Sequence, residues 1–392
     1  MRGALPAPLL MRVIAGIVAD EIARETKRSP PVGEVVGWNA ATRLDEDGLG
    51  LDSLMLLQAA QRVADLFCMR EVGYEDYLLV SRRLGDWTEL VAKSLAVKCE
   101  TIVFRTSGST GEPRNCAQPY AQLVEEAAIL AGLSGGPKRI VGCVAPQHIY
   151  GFLHTILSAA ALGLESVDLR ATPPAARLGR LRAGDLVVAT PHLWGLMAEA
   201  GERFPEGVLG MTSTAPMPAA LADRLAEMGL SRLVEIYGSS ETSGIGWRAD
   251  HGAPYELLPW WRREGGGIAR ADGPVVALPD VVEWLDARRL RPLRREDGAV
   301  QVGGVNVYPA RVADTIRRWP GVADCLVRRA GSGAASRLEA FVVLPELDAD
   351  EAALVRELTS FCARELAAPE RPARIAIGRG LPVDAMGKLT AW

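Results

Sequence analysis

The sequence predicts a multi-domain chain: a small helical bundle over residues 1–96, a central α/β domain over 97–293 and a small α+β domain over 294–392. Three observations lead there. Apolar residues recur at helical spacing through the first stretch, short apolar runs alternate with helical segments from Thr101 onward, and a fresh mixture of strands and helices begins near Leu293. A length of 392 residues suits two or three cores.

In the front stretch Leu10, Val13, Ile14, Ile17, Val18 and Ile22 form an apolar stripe on one helix. Pro30, Pro31 and Gly33 end it. The pattern returns as Leu54, Leu57, Ala60, Val63 and Phe67, with Asp52 or Ser53 placed to cap the new helix by accepting one of its free N–H groups. Trp87, Leu90 and Val91 mark a third helical stretch. Residues 102–104, 139–144, 186–189 and 233–236 read as strands, with helices at 121–131 and 220–228 between them. Strand and helix taking turns predicts a largely parallel sheet. The last stretch offers strands at 299–302, 323–327, 339–343 and 373–377, and helices near 309–318 and 350–366.

Composition removes several function classes. A net charge of -4 supplies no field for nucleic acid. No apolar run reaches the roughly 18 residues a membrane span needs, and the start lacks a signal-peptide pattern. The six cysteines are scattered, as are the four histidines, so neither a disulfide framework nor a clustered metal site is expected. Reduced thiols fit a cytoplasmic protein.

Two segments carry chemistry. Thr106-Ser-Gly-Ser-Thr-Gly-Glu-Pro-Arg114 follows an apolar strand. Gly108 and Gly111 permit turns that leave N–H groups facing phosphate oxygens. Thr106, Ser107, Ser109 and Thr110 add hydroxyl donors, and Arg114 adds a charged fork. A flexible surface loop is the plain rival. The Gly-Lys-Ser/Thr loop of ordinary nucleoside triphosphatases is absent. Tyr237-Gly-Ser-Ser-Glu-Thr242 also follows a strand, where ligands dock on parallel sheets. Tyr237 can pack on an adenine, and Glu241 can hold magnesium beside triphosphate oxygens. Core packing and a solvated charge are their bland readings. Asp280 suits either ribose hydroxyls or a simple turn, and Lys388 lies four residues before the final Trp392.

Together with Gly303-Gly-Val-Asn-Val-Tyr-Pro309, these segments resemble the adenylate-forming enzymes, the family of acyl-CoA synthetases and peptide-synthetase adenylation domains. The resemblance runs from about residue 100 to the C-terminus. It implies ATP-driven activation of a small carboxylic acid as acyl-AMP, with Mg2+, followed by transfer to a pantetheine thiol. It places Ser107, Ser109, Thr110 and Arg114 on the β- and γ-phosphates, Arg114 replacing the usual lysine. Tyr237, Gly238 and Ser239 would border the nucleotide, Ser240 and Glu241 the α-phosphate and magnesium, and Asp280 the ribose, although Leu278-Pro-Asp280 departs from the usual context. His148, Thr212 and Ala215 would border the acid. Arg294, with Asp297 or Glu296, matches the hinge about which the C-terminal domain turns. Lys388 would serve adenylation, and Gly304 the tunnel for the incoming thiol. A small aromatic acid is expected before a fatty acid or an amino acid.

Ahead of residue 100 the resemblance changes. Leu49-Gly-Leu-Asp-Ser-Leu-Met55 is similar to the acyl carrier protein signature, in which the serine bears phosphopantetheine. This implies a carrier-like domain modified at Ser53 by a phosphopantetheinyl transferase, on a ligase shortened at its front. The acceptor is then the Ser53-linked thiol, a separate carrier protein or CoA, and a homodimer would cover any sheet face left bare. The same departures admit a rival: a degenerate ligase fold acting as a carrier-docking subunit.

Overall fold

The computed structural model describes residues 5–107, 113–271, 273–295, 298–303, 305–331, 336–345 and 350–382. They fall into two compact units. One holds the described residues to Thr106, then 113–277 and 284–291; the other holds Ser107, 278–283 and those from 292 onward. The expected break between residues 96 and 97 lies inside the first unit.

The first unit begins with helices α1 (Ala7–Thr26), α2 (Val32–Gly37), α3 (Ser53–Leu66), α4 (Glu75–Val80) and α5 (Leu84–Val97). On α1 the expected stripe is only part of the buried band. Leu9, Leu10, Val13, Ile14, Ala15, Ile17 and Val18 are all buried, too broad a face for one interface. The cause is double packing: α1 meets both α3 and α5 and also the π-helical segment Phe152–Leu157 of the α/β body. The Arg12 guanidinium donates to the Ser166 hydroxyl (3.1 Å) and carbonyl (2.7 Å). Gln147 donates to Asp20 (3.2 Å). Gly16 is the close-approach point, since a Cβ there would sit 2.1 Å from Gln147 Oε1.

On α3 the cap is Asp52, whose carboxylate accepts from Met55 N (2.8 Å). Ser53 is therefore the first helical residue, and it is exposed. The buried face runs through Met55, Leu56, Ala59, Ala60 and Val63. The expected stripe is corrected at its start: Leu54 and Leu57 are 58% and 46% exposed. One residue is about 100° of helix, so a stripe begun one position early lands on the neighbouring face.

The α/β body follows. Strands β1 (Thr101–Ser107) and β2 (Pro113–Pro119) form their own two-stranded sheet, and β2 runs into α6 (Tyr120–Leu133). Then come β3 (Arg139–Gly142), α7 (Ile149–Gly151), α8 (Ser158–Leu162), β4 (Ser166–Asp168), α9 (Pro174–Arg177), β5 (Asp185–Ala189), α10 (Pro191–Ala198), β6 (Leu209–Thr212), α11 (Ala219–Glu227), β7 (Arg232–Ser239), β8 (Ser243–Arg248) and β9 (Tyr255–Leu257). Strands β10 (Trp261–Glu264) and β11 (Gly267–Arg270) make a separate hairpin. In the main sheet β4, β3, β5, β6 and β7 are neighbours in that order and parallel. Strands β8 and β9 continue it antiparallel. The parallel strands are near-continuous apolar runs, as strands covered on both faces must be.

Strands β12 (Asp280–Trp284) and β13 (Arg289–Arg295) have residues in each unit. The second unit adds β14 (Val300–Val302), β15 (Val305–Val307), α12 (Pro309–Ile316), β16 (Asp324–Ala330), β17 (Arg337–Val343), α13 (Glu351–Glu365) and β18 (Arg374–Gly378). Strand β17 pairs antiparallel with β16 and parallel with β18, the parallel step being bridged by α13. Val307, Val312, Ile316, Leu338, Val342 and Leu358 fill its core. This is the small α+β domain expected. Among the described residues no helix is long and apolar enough to cross a membrane.

Candidate active site

The segment 237–244 sits at the carboxyl end of β7, where the chain reverses into β8. A bulge between Tyr237 and Gly238 breaks the register and frees the segment to turn. Ser239 Oγ lies 3.0 Å from Thr242 Oγ1 and accepts from Thr242 N (3.3 Å). Ser243 takes the left-handed conformation, with φ of 58°. The Tyr237 ring rests against Tyr255, centroids 5.6 Å apart.

Three side chains hold this turn. The buried Gln118 on β2 donates its Nε2 to the carbonyls of Ser240 (2.7 Å) and Glu241 (3.0 Å). Glu126 on α6 accepts from Gly244 N (2.8 Å). Trp261 Nε1 donates to the Gly244 carbonyl (2.7 Å). Gly244 admits no side chain, because a Cβ would stand 2.6 Å from Glu126 Oε1. Burial pushes the Glu126 carboxyl up to about 7, while Gly244 N–H, the Ser243 hydroxyl and the Arg270 charge pull the other way.

Beside this turn lies the loop after β6. Thr212 is fully buried and Ala215 half-buried, with Thr214 at φ of 76° between them. Ser213 donates to the Ile236 carbonyl (2.8 Å). Buried Glu235 accepts from Met217 N (2.9 Å) and Tyr255 OH (2.5 Å), and pairs with Arg248 (2.6 Å). This network pins both ends of the loop. Tyr150 OH donates to the carbonyls of Met211 (2.9 Å) and Ala189 (3.2 Å), fixing the 148–151 segment over the ends of β5 and β6. His148, next to it, is exposed at the rim of a cavity of about 360 Å³. Ile17, Glu21, Gln58, Arg62 and Arg105 line that cavity, so α1 and α3 supply part of its wall. Glu21 is fully buried and paired with Arg24 and Arg62. His154 is also buried, its imidazole pushed down to about 3 and therefore neutral.

Within the first unit the structure thus gathers Tyr237, Gly238, Ser239, Ser240 and Glu241 on one turn, with Thr212, Ala215 and His148 on segments bonded to the same strand ends. Arg114 is exposed on β2, four residues before Gln118. Thr106 and Ser107 end β1. Gly108, Ser109, Thr110, Gly111, Glu296, Asp297, Gly304 and Lys388 lie outside the described residues. Asp280, half-buried at the start of β12, and exposed Arg294 on β13 belong to the second unit. No cluster of three metal-ligating side chains occurs among the described residues. An exposed single carboxylate at Glu241 fits Mg2+, which keeps waters and takes its other ligands from phosphates.

Sequence reading missed Gln118, Glu126 and Tyr150. Glu126 did leave a signal: it shares the buried face of α6 with Leu123, Ala127 and Leu130, an acid where an apolar residue belongs.

Residues 99–307 match the family described as AMP-binding enzyme. A 4-coumarate–CoA ligase of Rhodobacter capsulatus is 39% identical over 395 residues, covering 98% of this chain and 100% of the relative. Another, of Halorhodospira halophila, is 37% identical over 393 residues, covering 98% and 99%. Against these two relatives the chain is not short. An amide bond synthetase of Marinactinospora thermotolerans shares the fold, with a TM-score of 0.61 at 16% identity over 97% of this chain and 92% of that one.

Proposed function

Because the chain belongs to the AMP-binding enzyme family, as an AMP-forming acyl-CoA synthetase, we propose that its acid is 4-coumarate or a closely similar hydroxylated aromatic acid. One observation carries this reading. Two relatives at 37–39% identity over almost their entire length are named for that substrate. The expected preference for a small aromatic acid agrees with it, and nothing in the relatives' names favours a carrier-docking scaffold.

The geometry supports a division of labour. Attack of a carboxylate on the α-phosphate brings two anions together, so charge on the phosphoryl oxygens has to be offset. Glu241 would hold Mg2+, which supplies positive charge to the triphosphate when bound. Ser239 and Thr242, locked to each other, keep the turn in one conformation before the nucleotide arrives, which limits reorganisation. Arg114, with Ser107 and the loop beyond it, would take the β- and γ-phosphates, and Tyr237 the adenine. Lys388 would stabilise the adenylation step, Asp280 the ribose and Arg294 the hinge. His148, Thr212 and Ala215 would border the acid, and of these His148 lines the cavity that Gln58 and Arg62 also line.

CoA is the acceptor we favour. A second acceptor has its own observation: Ser53 is exposed at the first turn of α3, beside exposed Leu54 and Leu57, where a transferase could reach it. Pyrophosphate release measured with 4-coumarate, hydroxybenzoates, fatty acids and amino acids, with and without CoA, tests the reading. We expect release with 4-coumarate and a CoA thioester as product. Turnover confined to fatty or amino acids would overturn the substrate assignment.

A further inference from the structure

We propose that Glu126 is a positioning residue for adenylation, holding the 239–244 turn in the conformation that presents Glu241 and its neighbours to MgATP. The inference rests on the AMP-binding reading of that turn. Its physical basis is a clamp. Gln118 fixes the carbonyls of Ser240 and Glu241, while Glu126 and Trp261 fix the N–H and carbonyl of Gly244. Gln118 and Glu126 stand eight residues apart on one continuous segment, β2 into α6, which leads directly out of the 106–114 loop. The strand and the helix that follow the 106–114 loop therefore hold the acidic turn at both ends.

Glu126 is an unusual choice for a plain strut. It is 1% exposed, and its second oxygen is buried without a bond of normal geometry among the described residues. An asparagine or a serine could cap one N–H without the desolvation that a carboxyl suffers. What a carboxyl adds is a second acceptor beside Ser243. The hydroxyl of Ser243 is buried, similarly without a normal bond, and close enough to favour the ionised acid. The ionised form accepts from both Gly244 N–H and Ser243; the neutral form uses its own proton in place of one of these contacts. The turn is held more tightly when Glu126 is charged.

The groups facing Glu126 are few. Arg270 on β11 supplies the positive charge, and it is itself stacked on Trp260 and Trp261. Ser243 and Gly244 face it from β8, and Trp261 belongs to β10. The 152–157 segment, packed on α6, brings only His154, which stays neutral. The neighbouring Glu125 is exposed.

The test uses the full chain with Glu126→Ala and Glu126→Gln. It reads the KM for MgATP and for the acid by pyrophosphate exchange, the Kd for MgATP by calorimetry, and the thermal midpoint, from pH 5.5 to 8.5. We expect Glu126→Ala to raise KM and Kd for MgATP about tenfold, as loss of a charged hydrogen bond does, with the acid's KM within about twofold. The amide of Glu126→Gln still accepts from Gly244 N–H. It should recover most of that loss and abolish the rise in MgATP KM expected of the wild type as pH falls through about 7. Wild-type MgATP binding in a folded Glu126→Ala protein would overturn the proposal, as would an equal rise in both KM values. If the alanine variant fails to fold, a wild-type pH dependence in Glu126→Gln overturns it. A wild type that supports pyrophosphate exchange with none of the acids defeats the activity reading alone, since MgATP affinity still decides Glu126.

Discussion

The 239–244 turn and helix α1 invert one another. The turn is made of residues whose chemistry is written in the sequence, and it is held by residues that are not: a glutamine on one strand, a glutamate on one helix and a tryptophan from a separate hairpin. Helix α1 is the reverse. Its apolar spacing announces a helix, while nothing in that spacing says that it serves two cores, one with α3 and α5 and one with the 152–157 segment. Groups that meet a ligand must cluster in a motif. Groups that hold the motif need only one polar atom each, from anywhere in the chain.

The largest effect is expected at the two charges proposed to meet the nucleotide. Glu241→Ala and Lys388→Ala should each lower the adenylation rate by about a hundredfold or more, the usual consequence of removing one transition-state contact. Lys388→Ala should spare thioester formation from supplied acyl-adenylate. Equal loss in the two half-reactions would remove Lys388 from the first step, and an unaffected Glu241→Ala would reduce the turn to scaffold.

The next effect tests α1. Ile14 is fully buried, so Ile14→Ala should cost about 2–5 kcal/mol. Because α1 is shared, tryptophan fluorescence and circular dichroism should report the same lowered urea midpoint, with Trp87 in the front helices and Trp194 in the α/β body unfolding together. A front end that folded independently would instead melt in its own earlier transition. That result would support the boundary near residue 96 and make α1 an ordinary amphipathic helix.

A third effect separates Glu126's role in stability from its role in binding. Its pKa rises on folding from 4.5 to about 7. Between those values the folded state binds more protons than the unfolded one, so stability falls as pH rises through that window. The shift corresponds to about 3 kcal/mol at most. Glu126→Gln never ionises, so its thermal midpoint should exceed the wild type's at pH 8 and match it near pH 4.5. A wild type that is stabilised across that range would mean the carboxyl is not raised. It would then contribute an ordinary N–H cap to Gly244.

The legible and illegible parts divide along physical lines. The parallel strands could be read because burial on both faces leaves continuous apolar runs, as at 186–189, and the helices between them because of their period. Tyr237 to Glu241 could be read because glycine, hydroxyls and an acid stand together. The α3 stripe was misplaced because Leu54 and Leu57 are apolar yet exposed, and hydrophobicity alone does not say which face of a helix is covered. Gln118 was invisible since a lone glutamine in a strand is usually solvent-facing. The double burial of α1 was invisible because its second set of partners, Ser166, Gln147 and the 152–157 segment, lies far along the chain.

The smallest effect belongs to Ser53, and it sharpens the contrast from the other side. Ser53 sits in a segment whose chemistry is as legible as the turn's, yet no described bond recruits its hydroxyl, because Asp52 already caps α3. Ser53→Ala should therefore change stability by no more than about 0.5 kcal/mol and leave CoA thioester formation within about twofold. Its consequence should appear only in mass. Incubation with a pantetheinyl transferase and CoA should add one phosphopantetheine to the wild type and none to the variant. An unmodified wild type would leave free CoA as the acceptor. The 49–55 segment would then be a helix start whose sequence resembles a carrier's for reasons of capping, since an acid before a short polar residue is what the first turn of α3 requires.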